Sequence, residues 1–191
     1  MKILVVDNNK SFLQKVRKLF DAMREKISLI KEISPESAKI VEDVELHTCH
    51  DFSDFFYQDL NSIDLVVADL YMPPTDVREP RPVRHELWDG YYTPEGEPPI
   101  GLLTVLECVH KDVKCILLTD GNHHGSKHSW LYDGYLYYKK RQEEEPPFEY
   151  LECSKDDHWS HVASFVVSHI LDVHGEAWGD MMDILKELMQ D

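Results

Sequence analysis

The sequence predicts an α/β fold built on an open parallel sheet. Three observations lead there. Short runs rich in Leu and β-branched residues recur at 3–6, 65–68 and 115–118. Each stops at a polar residue: Asp7, Asp69, and Thr119 followed by Asp120. Amphipathic stretches separate the runs, and continuous rather than alternating apolar character marks strands buried on both faces. Ligands of such sheets bind outside the carboxyl ends of the strands. If the three runs are neighbours, Asp7, Asp69, Thr119 and Asp120 converge on one site.

Residues 2–6 read as a buried strand ending at Asp7-Asn8-Asn9. Asn8 or Asn9 can cap the helix that follows. In that helix Phe12, Val16, Leu19, Phe20 and Met23 fall at three- and four-residue spacing on one face. Ser34-Pro35-Glu36 marks another helix start inside 25–43, an elaboration of the first connection. Residues 44–48 alternate and read as a second, more exposed strand. Phe52, Phe55, Phe56 and Leu60 mark a short helix, and 63–70 is the third strand. Prolines 73, 74, 80, 82, 94, 98 and 99 then forbid a continuous helix, so 73–99 is an excursion.

A helix resumes at 100–109, and 114–118 is the fourth strand. Residues 121–148 are a second irregular region, with the turn Asp133-Gly134 between two aromatic arms. Residues 148–153 alternate like a fifth strand. Trp159, Val162, Phe165, Val166, Ile170 and Val173 form a periodic helix that Gly175 ends. Trp178, Met181, Met182, Leu185, Leu188 and Met189 line a last amphipathic helix. Strands alternating with helices imply a parallel sheet covered on both faces. The expected organisation is one domain over 1–174, with insertions at about 74–99 and 121–148, then a C-terminal amphipathic helix over 175–191.

The chain has 191 residues, 42% of them hydrophobic, which is enough for a real core. Its formal net charge is −16, which argues against a binder of nucleic-acid backbone and suits a basic protein partner or a cation. The four cysteines, Cys49, Cys108, Cys115 and Cys153, lack CxxC spacing. No membrane span is expected, and MKILVVD leads straight into a strand. Reduced, mostly buried thiols and a cytoplasmic location are therefore expected.

KILVVDNN at 2–9, DLVVADLYMP at 64–73, a Gly-Leu-Leu helix and ILLTD at 116–120 together resemble the receiver domain of bacterial response regulators. The resemblance covers roughly 1–174. It implies a flavodoxin-like, doubly wound five-stranded parallel sheet. It also implies phosphorylation by a sensor histidine kinase at the end of the third strand. Asp69 matches the phosphoacceptor. Asp7 matches the first residue of the family's acidic pair, and Asn8 stands where the second acid is expected. Asparagine offers only a neutral oxygen to Mg²⁺, which prefers carboxylates and water. The backbone carbonyl of Tyr71 is the remaining implied metal ligand. Thr119 matches the switch hydroxyl. Asp120 stands where the family has a small residue, and it would either repel an incoming anion or replace the missing acid. Lys155, directly after the fifth strand and before a helix, best matches the phosphoryl-contacting lysine. Lys139 and Lys140 are alternatives with tighter spacing from Thr119.

His123, His124 and His128 follow the fourth strand, and one or two of them could join Asp69 or Asp120 around a transition metal. A polar surface loop is the simpler explanation. His47, Cys49 and His50 are metal-like in type but fall on an edge strand and its exit. The last helix either packs on its own domain or, through 176–190, meets a second copy or another protein. Three functions follow. The first is a stand-alone signalling receiver phosphorylated on Asp69 and acting through protein contacts. The second is a degenerate receiver-fold binding module, favoured by Asn8 and Asp120. The third is a metal-dependent enzyme using Asp7, Asp69, Asp120 and a histidine.

Overall fold

A computed structural model describes residues 1–70, 101–119, 148–152, 166–167, 170–171 and 176–188. The described strands are β1 (Lys2–Val6), β2 (Glu45–Cys49), β3 (Leu65–Asp69), β4 (Lys114–Thr119) and β5 (Phe148–Glu152). The described helices are α1 (Lys10–Glu25), α2 (Ile27–Ile33), α3 (Pro35–Asp43), α4 (Phe52–Phe56), α5 (Gly101–His110) and α6 (Glu176–Leu188). The strands form one sheet in the order β2-β1-β3-β4-β5. Pairing is parallel from β1 to β3, from β3 to β4 and from β4 to β5. This is the α/β parallel sheet the sequence predicts, and its strand order is that of flavodoxin-like sheets. The expected insertion at 74–99 lies outside the described residues, as does 121–147. Phe148, the last residue of the second expected insertion, already opens β5.

The chain divides into two compact units: residues 1–2, 9–46 and 156–191 in one, residues 3–8 and 47–155 in the other. In the first unit, α1 starts where the Asn9 side chain accepts from the Phe12 N–H at 3.1 Å. Its apolar stripe, Phe12, Val16, Leu19, Phe20 and Met23, is buried as expected. The stretch 26–43 folds as two helices rather than one. Ser34 is extended, at φ −146°, and its side chain caps α3 by accepting from the Ser37 N–H at 3.2 Å. Pro35 occupies the first turn of α3, where its missing N–H costs nothing. Arg24 ties the end of α1 to the end of α3, donating to the Val44 carbonyl at 2.7 Å. Helix α6 packs on α1 and α2 and buries Met181, Met182 and Leu185. Of the other residues in the expected stripe, Leu188 is half-buried, and the Trp178 side chain and Met189 lie outside the described residues. Val166, Val167, Ile170 and Leu171 are also buried, while the rest of the periodic helix expected at 159–173 lies outside the described residues.

In the second unit, alternate residues of three adjacent strands share one face: Leu4 and Val6, Val66 and Ala68, Cys115 and Leu117. Phe55, Leu60 and Ile63 from the stretch before β3 pack on them with Val105 and Cys108 of α5. Cys49, Cys108 and Cys115 are free thiols and buried, as composition suggested. Cys153 lies outside the described residues. Among the described residues, no helix is long and apolar enough to cross a membrane.

Candidate functional site

The carboxyl edge of the sheet gathers several of the residues singled out above. Register explains why. Val6 of β1 pairs with Ala68 of β3, so Asp7 and Asp69 stand at adjacent positions one step further on. Asp69 pairs across its other side with Leu118 of β4, and the Leu70 N–H donates to the Leu118 carbonyl at 2.7 Å. Thr119, the next residue of β4, pairs with Glu152 of β5. Asp7, Asn8, Asp69 and the backbone of Thr119 therefore lie along three neighbouring strand ends.

The local chain conformation fixes each of them. Asp7 donates its backbone N–H to the Cys49 carbonyl at 3.1 Å, which pins the end of β1 to that of β2. Its side chain is only 4% exposed. A carboxylate so buried is retained only where hydrogen bonds or a cation compensate its lost hydration. Asp69 and Asn8 are half-buried.

Helix α5 starts directly against the end of β3. The Gly101 N–H donates to the Leu70 carbonyl at 3.0 Å. A Cβ on Gly101 would overlap the Asp69 carbonyl oxygen. Only a glycine admits that approach, so Gly101 positions Asp69 without being part of its chemistry. The sequence offered a faint signal for this, a glycine opening a helical pattern.

Tyr71, Asp120, His123, His124, His128, Lys139, Lys140 and Lys155 lie outside the described residues. Among the described residues, one set of potential metal-ligating groups lies within 4.8 Å of one another: His50, Asp51 and Asp54. His50 Nδ1 is 3.4 Å from Asp51 Oδ2 and 3.6 Å from Asp54 Oδ2. Asp51 also caps α4, its Oδ1 accepting from the Asp54 N–H at 2.8 Å. The sequence grouped His50 with His47 and Cys49 and not with the aspartates; Asp51 is its chain neighbour, and the first turn of α4 brings Asp54 back towards it. Cys49 instead joins the core, where burial, with the charges of Asp54 and Asp51, pushes its thiol up to about 11.

The chain is similar in structure to a response regulator receiver domain. That solved structure, a crystal structure of a response regulator receiver domain protein from Clostridium thermocellum, shares 19% identity. The match covers 98% of each chain with a TM-score of 0.38. No family model matches the chain, and no curated protein does. The fold assignment rests instead on the strand order and register described above.

Proposed function

We propose that the chain is a stand-alone signalling receiver, phosphorylated on Asp69 and acting through protein contacts. One observation carries this reading. In a sheet of order 2-1-3-4-5, Asp69 ends the central strand, flanked by Asp7 on one neighbouring strand and Thr119 on the other. The resemblance of those strand-end residues to receiver motifs gives the arrangement its chemical sense.

The side chains at these strand ends offer oxygen donors: the carboxylates of Asp7 and Asp69 and the amide oxygen of Asn8. Such a set fits a hard cation such as Mg²⁺ better than a soft one. The burial of Asp7 fits a role as ligand. Bound there, Mg²⁺ would offset negative charge on the carboxylate and on an incoming phosphoryl group. A carboxylate oxygen of Asp69 attacks phosphorus, and the bond from phosphorus to the donor breaks. The donor, a sensor histidine kinase or a small acyl phosphate, keeps that electron pair. On this reading the Thr119 hydroxyl would then donate to a phosphoryl oxygen, and Lys155, with Lys139 or Lys140 as alternatives, would supply a charge-assisted contact. Movement of Thr119 towards the new group would change what a partner protein reads.

Asn8 favours a second reading, a binding module on the same fold that does not take up phosphate. With one acid replaced by an amide, the cation is held more weakly. Intact-mass spectrometry after incubation with acetyl phosphate and Mg²⁺ separates the two. An added phosphoryl mass that Asp69→Asn lacks is expected for a receiver. No added mass, under conditions that label another receiver domain, leaves the binding module.

A further inference from the structure

The end of helix α4, ahead of a 3-10 turn (Leu60–Ser62), leaves large apolar side chains in water. Phe56 is 56% exposed and Tyr57 is 88% exposed. Helix α5 exposes Leu103, Leu106 and Val109, with Leu106 at 64%. Between these elements lies a cleft of about 200 Å³, lined by Phe55, Phe56 and Leu60 and by the polar side chains of Gln58, Asp59, Asn61, Glu107 and Lys111. Small-molecule sites run to roughly 300–1,000 Å³. The cleft is below that range and suits one or two inserted side chains.

Two further features narrow the occupant. The Phe56 ring is set edge-on against Phe52, with centroids 4.5 Å apart and planes at 70°. An aromatic anchor already oriented loses little freedom on docking. Charge supplies the second. The charged groups lining the cleft are two carboxylates, Asp59 and Glu107, and one lysine, Lys111, on a chain of net charge −16. A second copy would bring the same charge to the face, and like-charge juxtaposition disfavours that contact. A basic segment is drawn towards it.

We infer that the face formed by α4, the 3-10 turn and α5 docks a basic amphipathic helix of a partner protein. An apolar residue of that helix enters the cleft, and its Lys or Arg residues pair with Asp59 and Glu107. This mode needs anchors at i and i+3 or i+4 on the partner helix. The inference supplies the protein contact that the receiver reading calls for. It is tested on unphosphorylated protein, so either idea can fail alone.

The experiment titrates the ¹⁵N-labelled full chain with a synthetic helix of about 14 residues, Leu on one face and Lys on the other. A Glu-for-Lys version is the control. Saturable shifts confined to the amides of 55–61 and 103–111 are expected from the Lys peptide and not from the Glu peptide. Phe56→Ala and the pair Asp59→Lys with Glu107→Lys should each weaken binding at least about tenfold. Both change exposed or rim positions, and far-ultraviolet circular dichroism confirms that each variant is folded. Shifts scattered over the surface, equal binding of both peptides, or unchanged affinity of the variants would overturn the inference. So would concentration-dependent shifts of those amides in the protein alone, which mark a second copy. Failure to bind because another stretch of the same chain already fills the cleft overturns it too.

Discussion

Gly101→Ala places a methyl where the fold leaves no room. The added carbon would overlap the Asp69 carbonyl oxygen and lie 2.8 Å from Leu70 Cα and 2.9 Å from the Asp69 carbonyl carbon. All three neighbours are backbone atoms, so no rotamer change relieves the clash. Either the end of β3 or the start of α5 must move. Overpacking costs about 1–3 kcal/mol, and rigid neighbours put this case near the upper end. Alanine returns up to about 1 kcal/mol of helix propensity relative to glycine. The net loss is then about 2 kcal/mol. With a urea dependence of about 2 kcal/mol per M, the unfolding midpoint falls by roughly 1 M. The displaced segment carries Asp69, so under the proposed receiver function phosphoryl uptake at that residue should slow in the same variant. Urea denaturation with label uptake under native conditions checks both. A Gly101→Ala protein as stable as the parent, labelled at the parental rate, would refute the close approach of α5 to β3.

Other substitutions test local features. Thr104 is fully buried on α5, and its Oγ1 finds no hydrogen-bond partner among the described residues. Thr104→Val should therefore raise stability by about 1 kcal/mol, seen as a higher urea midpoint. Asp51→Ala removes the α4 cap and should cost about 1 kcal/mol. Ser34→Ala should cost a similar amount, with helicity lost from 35–43 in hydrogen exchange. A hydrogen bond that the Cys115 thiol donates to Cys108, with burial, holds Cys115 well above its ordinary value, and Cys49 is raised from 9.0 to about 11. Iodoacetamide at pH 8 should leave both unlabelled in the native chain and label both in urea. The native state holds these protons more tightly than the unfolded chain. The Cys49 contribution to stability is complete below pH 9 and is lost as pH rises through about 11, so the urea midpoint should fall over that interval.

Much of the fold could be read directly from residue pattern. Continuous apolar runs at 3–6, 65–68 and 115–118 became adjacent parallel strands, because strands buried on both faces cannot alternate. The stripe from Phe12 to Met23 and the Ser34-Pro35 helix start also stood out, since both are local signals. What stayed hidden depends on residues distant in sequence. The approach of Gly101 to Asp69 is set by how α5 meets β3, which no spacing encodes. The contact of Cys108 with Cys115 arises from α5 packing on β4. Exposure of Phe56 and Tyr57 was equally unreadable, because a five-residue helix is too short for a periodic pattern to declare its face. The strand-end site was legible as residue types, and register supplied their adjacency.

The central claim is that Asp69 takes up a phosphoryl group. Borohydride reduction of the protein after treatment with acetyl phosphate and Mg²⁺, followed by peptide sequencing, tests it at the residue itself. An aspartyl phosphate is reduced to homoserine, so homoserine at position 69 is expected, and its absence from the Mg²⁺-free sample. Aspartate unchanged at 69, or homoserine at another position, would contradict it.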